Sequence, residues 1–203
     1  GGRRRENLSA RFLEALRLEA SPEQVLAYIY AVLHAPLYRA RYAEFLRRDF
    51  PRIPLPPSRE AFEQLAALGQ ELIQLHLLEH RDLEVPQCKF PVAGDGRVER
   101  VRREGEQVWI NATQYFEPVP ESAWAFRVGG YPVCEKWLSD RKGRVLSFEE
   151  VRTYQRIVTA LAQTVELQAV IDEVCRKVWG WSSDAELLGT EPIFRSARPP
   201  GRN

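Results

Sequence analysis

Apolar residues recur at three- and four-residue intervals through residues 7–80, a pattern that predicts a run of amphipathic helices. A first helix opens at Asn7-Leu8-Ser9 and gathers Phe12, Leu13 and Leu16 on one side. A second starts at Ser21-Pro22-Glu23, which supplies an N-cap serine, a proline at the first helical position and a first-turn acid. It carries Val25, Leu26, Ile29, Val32 and Leu33 and ends before Pro36. A third, over about residues 37–49, puts Tyr38, Tyr42, Phe45 and Leu46 on one face, with Arg39, Arg41, Arg47 and Arg48 mostly elsewhere. The prolines of residues 51–58 lack amide donors and restrict their predecessors, so this segment is a stiff extended connector. Ser58 caps a fourth helix that runs to about His80 through Phe62, Leu65, Leu68, Leu72, Leu75 and Leu78.

From Val85 the period changes. Prolines, glycines and short alternating runs predict a small antiparallel sheet over residues 85–128. Asp95-Gly96 reads as its hairpin turn, followed by a strand over 97–103 and further strands over 107–110 and 124–128. Gly129-Gly130 interrupts the chain, and a basic turn follows at Asp140-Arg141-Lys142-Gly143-Arg144. Ser147 and Glu150 then stand at capping-box spacing ahead of a long helix carrying Val151, Tyr154, Ile157, Val158, Leu161 and Val165. The expected fold class is α+β, with helical bundle segments packed around a small antiparallel sheet in one compact domain. Its parts are a helical region 1–84, the sheet region 85–128, the basic turn and long helix 129–178, and a flexible tail 179–203. The start GGRRR reads as a basic linker.

Composition adds constraints. The chain has 203 residues, 44% hydrophobic and 28% charged, as expected of a soluble globular domain that can bury a sizeable core. No apolar run approaches the ~18 residues that would span a bilayer, and no signal peptide is visible. The net charge of +1 makes any nucleic-acid surface a matter of charge segregation. Nearly all the cations are arginine, which suits bidentate contacts to phosphate and guanine; a GC-rich or thermophilic source produces the same bias. Cys88, Cys134 and Cys175 are odd in number and widely spaced, which fits a reducing, cytoplasmic setting rather than a disulfide framework or a metal site. The absence of methionine leads us to expect a fragment of a longer polypeptide.

Three constellations carry possible chemistry. HLLEH at residues 76–80 matches a zinc-peptidase pattern in which His76 and His80 would bind metal and Glu79 would act as base. It sits at the end of a leucine-rich helix without a further ligand cluster, so a core-flanking helix end is the preferred reading and no metal is expected. Lys136, Arg141, Lys142 and Arg144 make the connection before the long helix locally positive and suit DNA phosphates. A solvated turn between packed elements explains them equally well. Asn111, Gln114 and Tyr115 cluster after a strand, where amide side chains can read adenine, and Trp124 and Tyr131 flank the basic turn as aromatic contacts or as core. No methylation, nucleotide-binding or nuclease motif is present, so the chain is expected to catalyse nothing by itself.

The order of residues in GGYPVCEKWLSDRKGR followed by LSFEEVRTYQRIVTAL closely resembles the C-terminal specificity region of type ISP restriction-modification enzymes. The resemblance extends upstream through residues 27–56, LIQLHLLEH at 72–80 and VWINATQYFEPVP at 108–120, and covers most of residues 7–175. It implies recognition of double-stranded DNA, which positions a target adenine for a methyltransferase domain of the same polypeptide. That absent domain would use S-adenosylmethionine; no cofactor is expected in this chain. Family members are expected to read different targets, so the base readers belong where this chain departs from the familiar pattern. Those are Arg97, Arg100, Arg102, Arg103 and Gln107, with an exposed edge strand kept soluble by charge as the competing account. A non-catalytic helical docking module is the alternative function, and a metallopeptidase fragment a remote one.

Overall fold

The structure is a computed structural model that describes residues 20–181. The helix expected from Asn7 and the chain beyond Trp181 lie outside the described residues. The observed class is α+β: two apolar cores, one helical and one built on short strands, share a single long helix.

The helical core is made first. Helix α1 (Pro22–His34) starts where its signals place it, with a complete capping box between Ser21 and Gln24. Helices α2 (Pro36–Arg41) and α3 (Ala43–Leu46) follow, broken at Tyr42, where one continuous helix was expected. The connector after them is fastened rather than loose, because Tyr28 and Tyr38 donate their hydroxyls to the Pro54 and Arg52 carbonyl oxygens at 2.7 and 2.9 Å. Helix α4 (Arg59–His76), capped by the Ser58 hydroxyl, lies against α1 through Phe62, Leu65 and Leu72. Its approach is set by Gly69, where an added Cβ would stand 1.9 Å from the Ala27 carbonyl oxygen. Glycine is required there by contact, since it lies in ordinary helix.

A one-turn 3-10 helix (Arg81–Glu84) leads to the second core. Strands β1 (Arg102–Glu104), β2 (Gln107–Trp109) and β3 (Tyr115–Phe116) form an antiparallel sheet in that order. The hairpin turn lies at Gly105, which has a φ of +60°, and not at Asp95-Gly96. Helix α5 (Glu121–Trp124), started by Pro120, takes the first residue of the strand expected over 124–128 and delays it. Only Arg127–Val128 (β4) is extended, and it pairs with Tyr131–Pro132 (β5) across Gly129-Gly130. Both glycines have positive φ, which a two-residue hairpin of this kind demands. Helix α6 (Val133–Ser139) then carries Trp137.

Helix α7 (Phe148–Trp179) runs through both cores and ends at Gly180 in the left-handed region. Its first half buries Tyr154, Val158 and Leu161 with the sheet, and its second buries Ile171, Val174 and Cys175 with α1 and α2. Asp172 reaches from α7 to accept the Leu37 amide at 3.0 Å, capping α2 from 135 residues away. Trp181 is 5% exposed and packs on Tyr38 and Tyr42, so order extends past the point where a flexible tail was expected to begin.

Candidate nucleic-acid interface

The basic turn and the start of the base-reading segment are joined edge to edge, through pairs 45 to 50 residues apart in sequence. Leu146 donates to the Gly96 carbonyl oxygen, Val98 to that of Arg144 and Gly143 to that of Val98, at 2.9, 2.9 and 2.7 Å. Arg97 forms a bridge opposite Val145, and its Nη1 donates to the Gly143 carbonyl oxygen at 2.8 Å. Asp95-Gly96 therefore enters a pairing with the exit of the basic turn. Exposed Arg97, Lys142 and Arg144 end up on one edge of the sheet core.

Glu150 organises this edge. Its Oε2 accepts the Ser147 amide at 3.0 Å, and Oε1 accepts from Arg141 Nε and Arg144 Nη2 at 3.1 and 3.0 Å. These donors, the backbone amide first, hold its carboxyl below the ordinary carboxylate range. Arg141 also donates to the Trp137 carbonyl oxygen at 2.8 Å and lies 3.4 Å from the Trp137 ring centroid. Of the expected phosphate contacts, Arg141 is thus a half-buried fastener, whereas Lys142 extends into solvent without an ion pair among the described residues. Arg144 keeps most of its side chain exposed while touching Glu150. Lys136 pairs with Asp140 at 2.8 Å and sits over the ring of Tyr131, which is itself largely exposed.

The amide readers are corrected by their hydrogen bonds. Gln114 is 1% exposed; its Oε1 accepts from Gly96 N at 2.8 Å and Asn111 Nδ2 at 3.0 Å, and its Nε2 donates to the Val92 carbonyl oxygen at 3.1 Å. Asn111 is equally committed. Its Oδ1 accepts the Thr113 and Gln114 amides, and its Nδ2 also donates to the Arg97 carbonyl oxygen. Neither side chain has a free edge for a base; together they lock the 92–97 loop onto the sheet. Tyr115 packs against Trp109 with centroids 4.5 Å apart, and Trp124 joins the sheet core rather than a surface.

The remaining base-reading residues divide. Arg100 is exposed and precedes β1, so it does not alternate with Arg102 along one strand. Arg102 pairs with Glu104 at 3.2 Å and lies over Trp109, opposite it in register. Arg103 is half-buried against Glu121, and Gln107 donates to Glu117 at 2.9 Å. HLLEH does not form a metal pair. Helix α4 stops at His76, Leu78 takes a positive φ, and His80 caps the 3-10 helix by accepting the Asp82 amide. His76 accepts from the Tyr30 hydroxyl at its Nδ1 (2.7 Å) and donates from Nε2 to Thr164 Oγ1 (3.1 Å), whose own proton goes to the Ala160 carbonyl oxygen.

Sequence reasoning did not find Trp137 or the double role of Glu150. Their only local signal is the spacing of Trp137, Arg141 and Glu150, at one helical turn and then nine residues. No helix among the described residues is long and apolar enough to cross a membrane.

The chain belongs to the Type ISP C-terminal specificity domain family, whose model matches residues 1–169. Its fold is similar to part of the cryo-EM structure of a DrdV–DNA complex, with a TM-score of 0.61 and 23% identity over 82% of this chain and 19% of that one. It is also similar to part of LlaBIII, an ATP-dependent Type ISP restriction-modification enzyme bound to DNA (TM-score 0.58, 20% identity, 82% of this chain and 12% of that one). A nuclease-deletion mutant of the Type ISP enzyme LlaGI, in complex with a DNA substrate mimic, matches at a TM-score of 0.53 and 23% identity, over 76% of this chain and 14% of that one. The chain thus spans a fifth or less of each of these solved chains. No curated protein matches it.

Proposed function

We propose that this chain recognises double-stranded DNA as the target-recognition part of a restriction-modification enzyme. The observation that carries the reading is the specificity-domain match over residues 1–169, on a fold that gathers Arg97, Lys142 and Arg144 along one edge. Those cations fix register on phosphates, which need exposed charge and no particular base. Arg100 and Arg102, on the segment leading into and along β1, reach base edges. The neighbouring methyltransferase of the same polypeptide, using S-adenosylmethionine, then acts on an adenine that this domain has positioned.

Binding of the chain to labelled random-sequence duplex at several salt concentrations tests the reading. Affinity should fall steeply with salt, by a slope of about 0.9 per phosphate neutralised. Charge reversal at Arg97, Lys142 and Arg144 should flatten that slope. No binding even at low salt defeats the reading of an autonomous DNA binder and favours a module that docks onto protein.

A further inference from the structure

Helices α1, α4 and α7 and the β4–β5 hairpin line a half-open cavity of about 440 Å³ on the side of the molecule where the two cores meet. Phe126 and Ile157 belong to its largely apolar wall, and Arg39 and Arg127 stand on it as well. Arg127 donates to the Gly130 carbonyl oxygen at 2.9 Å. Neither arginine has a carboxylate partner among the described residues. Two unneutralised guanidiniums at an apolar cavity favour an anion with an apolar body.

The polar chemistry inside is more specific. His34 Nδ1 lies 2.8 Å from the Tyr30 carbonyl oxygen, which only accepts, so Nδ1 carries the proton. Burial, aided by the charge of Arg39, holds His34 below the ordinary imidazole range, so the ring is neutral near pH 7. Its Nε2 is therefore a bare acceptor, and it has no hydrogen-bond partner among the described residues. The ring stacks on Tyr30 at 4.1 Å. His76 beside it has both nitrogens engaged and offers no such edge.

We propose that this cavity takes up one nucleotide unit swung out of a DNA strand. A base with an exocyclic amine donates to His34 Nε2, and its phosphate pairs with Arg39 and Arg127. An inorganic anion would leave the apolar wall and the acceptor unused, and a purely apolar ligand would leave the two cations unused. The inference rests on the DNA-binding reading above and adds a second contact site, remote in sequence from the basic turn.

The chain has three histidines, which makes imidazole NMR signals a direct probe. Titration of the full chain with dAMP or dCMP should shift the His34 signals saturably. Inorganic phosphate should leave them in place. N6,N6-dimethyl-dAMP, which lacks the amine donors, should bind at least about tenfold more weakly, the equivalent of one lost hydrogen bond to an otherwise unpaired group. Arg39→Gln and Arg127→Gln should each weaken dAMP without changing the unfolding midpoint. Equal shifts from phosphate and dAMP, or no shift with dAMP, would overturn the proposal. Duplex binding measured alongside separates the two readings. Duplex binding without a dAMP response leaves the DNA reading standing and removes this site. A dAMP response without duplex binding overturns the DNA reading and, with it, a DNA strand as the source of the occupant, and leaves a site for free mononucleotide.

Discussion

The guanidinium of Arg141 lies 3.4 Å from the centroid of the Trp137 ring while its Nε donates to Glu150 at 3.1 Å. One cation of the basic turn is thereby turned inward, and it holds the end of α6 against the start of α7. Arg141→Ala should cost about 1.5–3 kcal/mol of stability, the range for charge-assisted hydrogen bonds in partly buried settings. Lys142→Ala should change stability by less than about 0.5 kcal/mol and still weaken duplex binding. Urea unfolding of both variants checks the contrast; equal stability losses would mean that the inward pairing has no energetic weight.

Gln114 satisfies three backbone or side-chain groups while almost fully buried. Gln114→Ala removes them all and should cost about 2–4 kcal/mol, since each orphaned buried group costs roughly 1–3 kcal/mol. Gln114→Glu keeps the shape but loses the donor to the Val92 carbonyl oxygen and buries charge, so it should rescue little. Thermal denaturation of the two variants decides between this structural role and a surface role, for which both would be nearly silent.

Gly69→Ala tests the contact of α1 with α4. Outside such a contact the change would stabilise a helix by about 0.5–1 kcal/mol. Here the added methyl meets the Ala27 backbone oxygen at 1.9 Å, so the helices must separate and the sign should invert, with a loss of about 1–3 kcal/mol. A raised melting temperature would disprove that approach.

Tyr154 is fully buried, and among the described residues its hydroxyl finds only the Cys134 thiol as a polar neighbour. The adjacent Cys134 thiol donates to the Ala123 carbonyl oxygen at 3.4 Å and is only a weak acceptor. Tyr154→Phe should therefore be neutral or stabilising, unlike the change at a bonded tyrosine such as Tyr28. Chemical denaturation of Tyr154→Phe and Tyr28→Phe side by side gives the comparison.

His76 is held down to about 4, chiefly by burial and then by the proximity of His34. The folded state binds the proton less tightly than the unfolded chain, whose histidine titrates near 6.5. Stability from this group is fully present above about pH 6.5 and declines on acidification toward pH 4. His34, lowered for the same main reason, pulls in the same direction. An NMR titration should find His76 neutral at pH 5.5; a midpoint near 6.5 would contradict its hydrogen-bonded chain from Tyr30 to Ala160.

The parts legible in sequence are those whose cause is local. Ser21, Ser58 and Ser147 bond to amides three residues on, and the capping boxes need only residues within one turn. Gly129-Gly130 marks a break in the chain by the same local logic, although the hairpin that it forms was expected at Asp95-Gly96 instead. The interface was less legible because its determinants are distant. Nothing near Asn111 or Gln114 shows that Val92, Gly96 and Arg97 will consume their polar atoms. Likewise, nothing in the run Arg141-Lys142-Gly143-Arg144 distinguishes the cation that Glu150 and Trp137 will claim from the one left to solvent.

Helix α7 has 32 residues, about 48 Å at ~1.5 Å per residue, and it places side chains in both cores. Those two sets of anchors are keyed to one another in rotational phase. One residue inserted near Gln163 would turn everything beyond it by about 100°. Asp172 would swing away from Leu37, Ile171 and Val174 would leave their core, and the sheet would lose its angular setting against the helical half. The shaft tolerates changes of side chain far better than changes of length, and its count of residues is itself part of the fold.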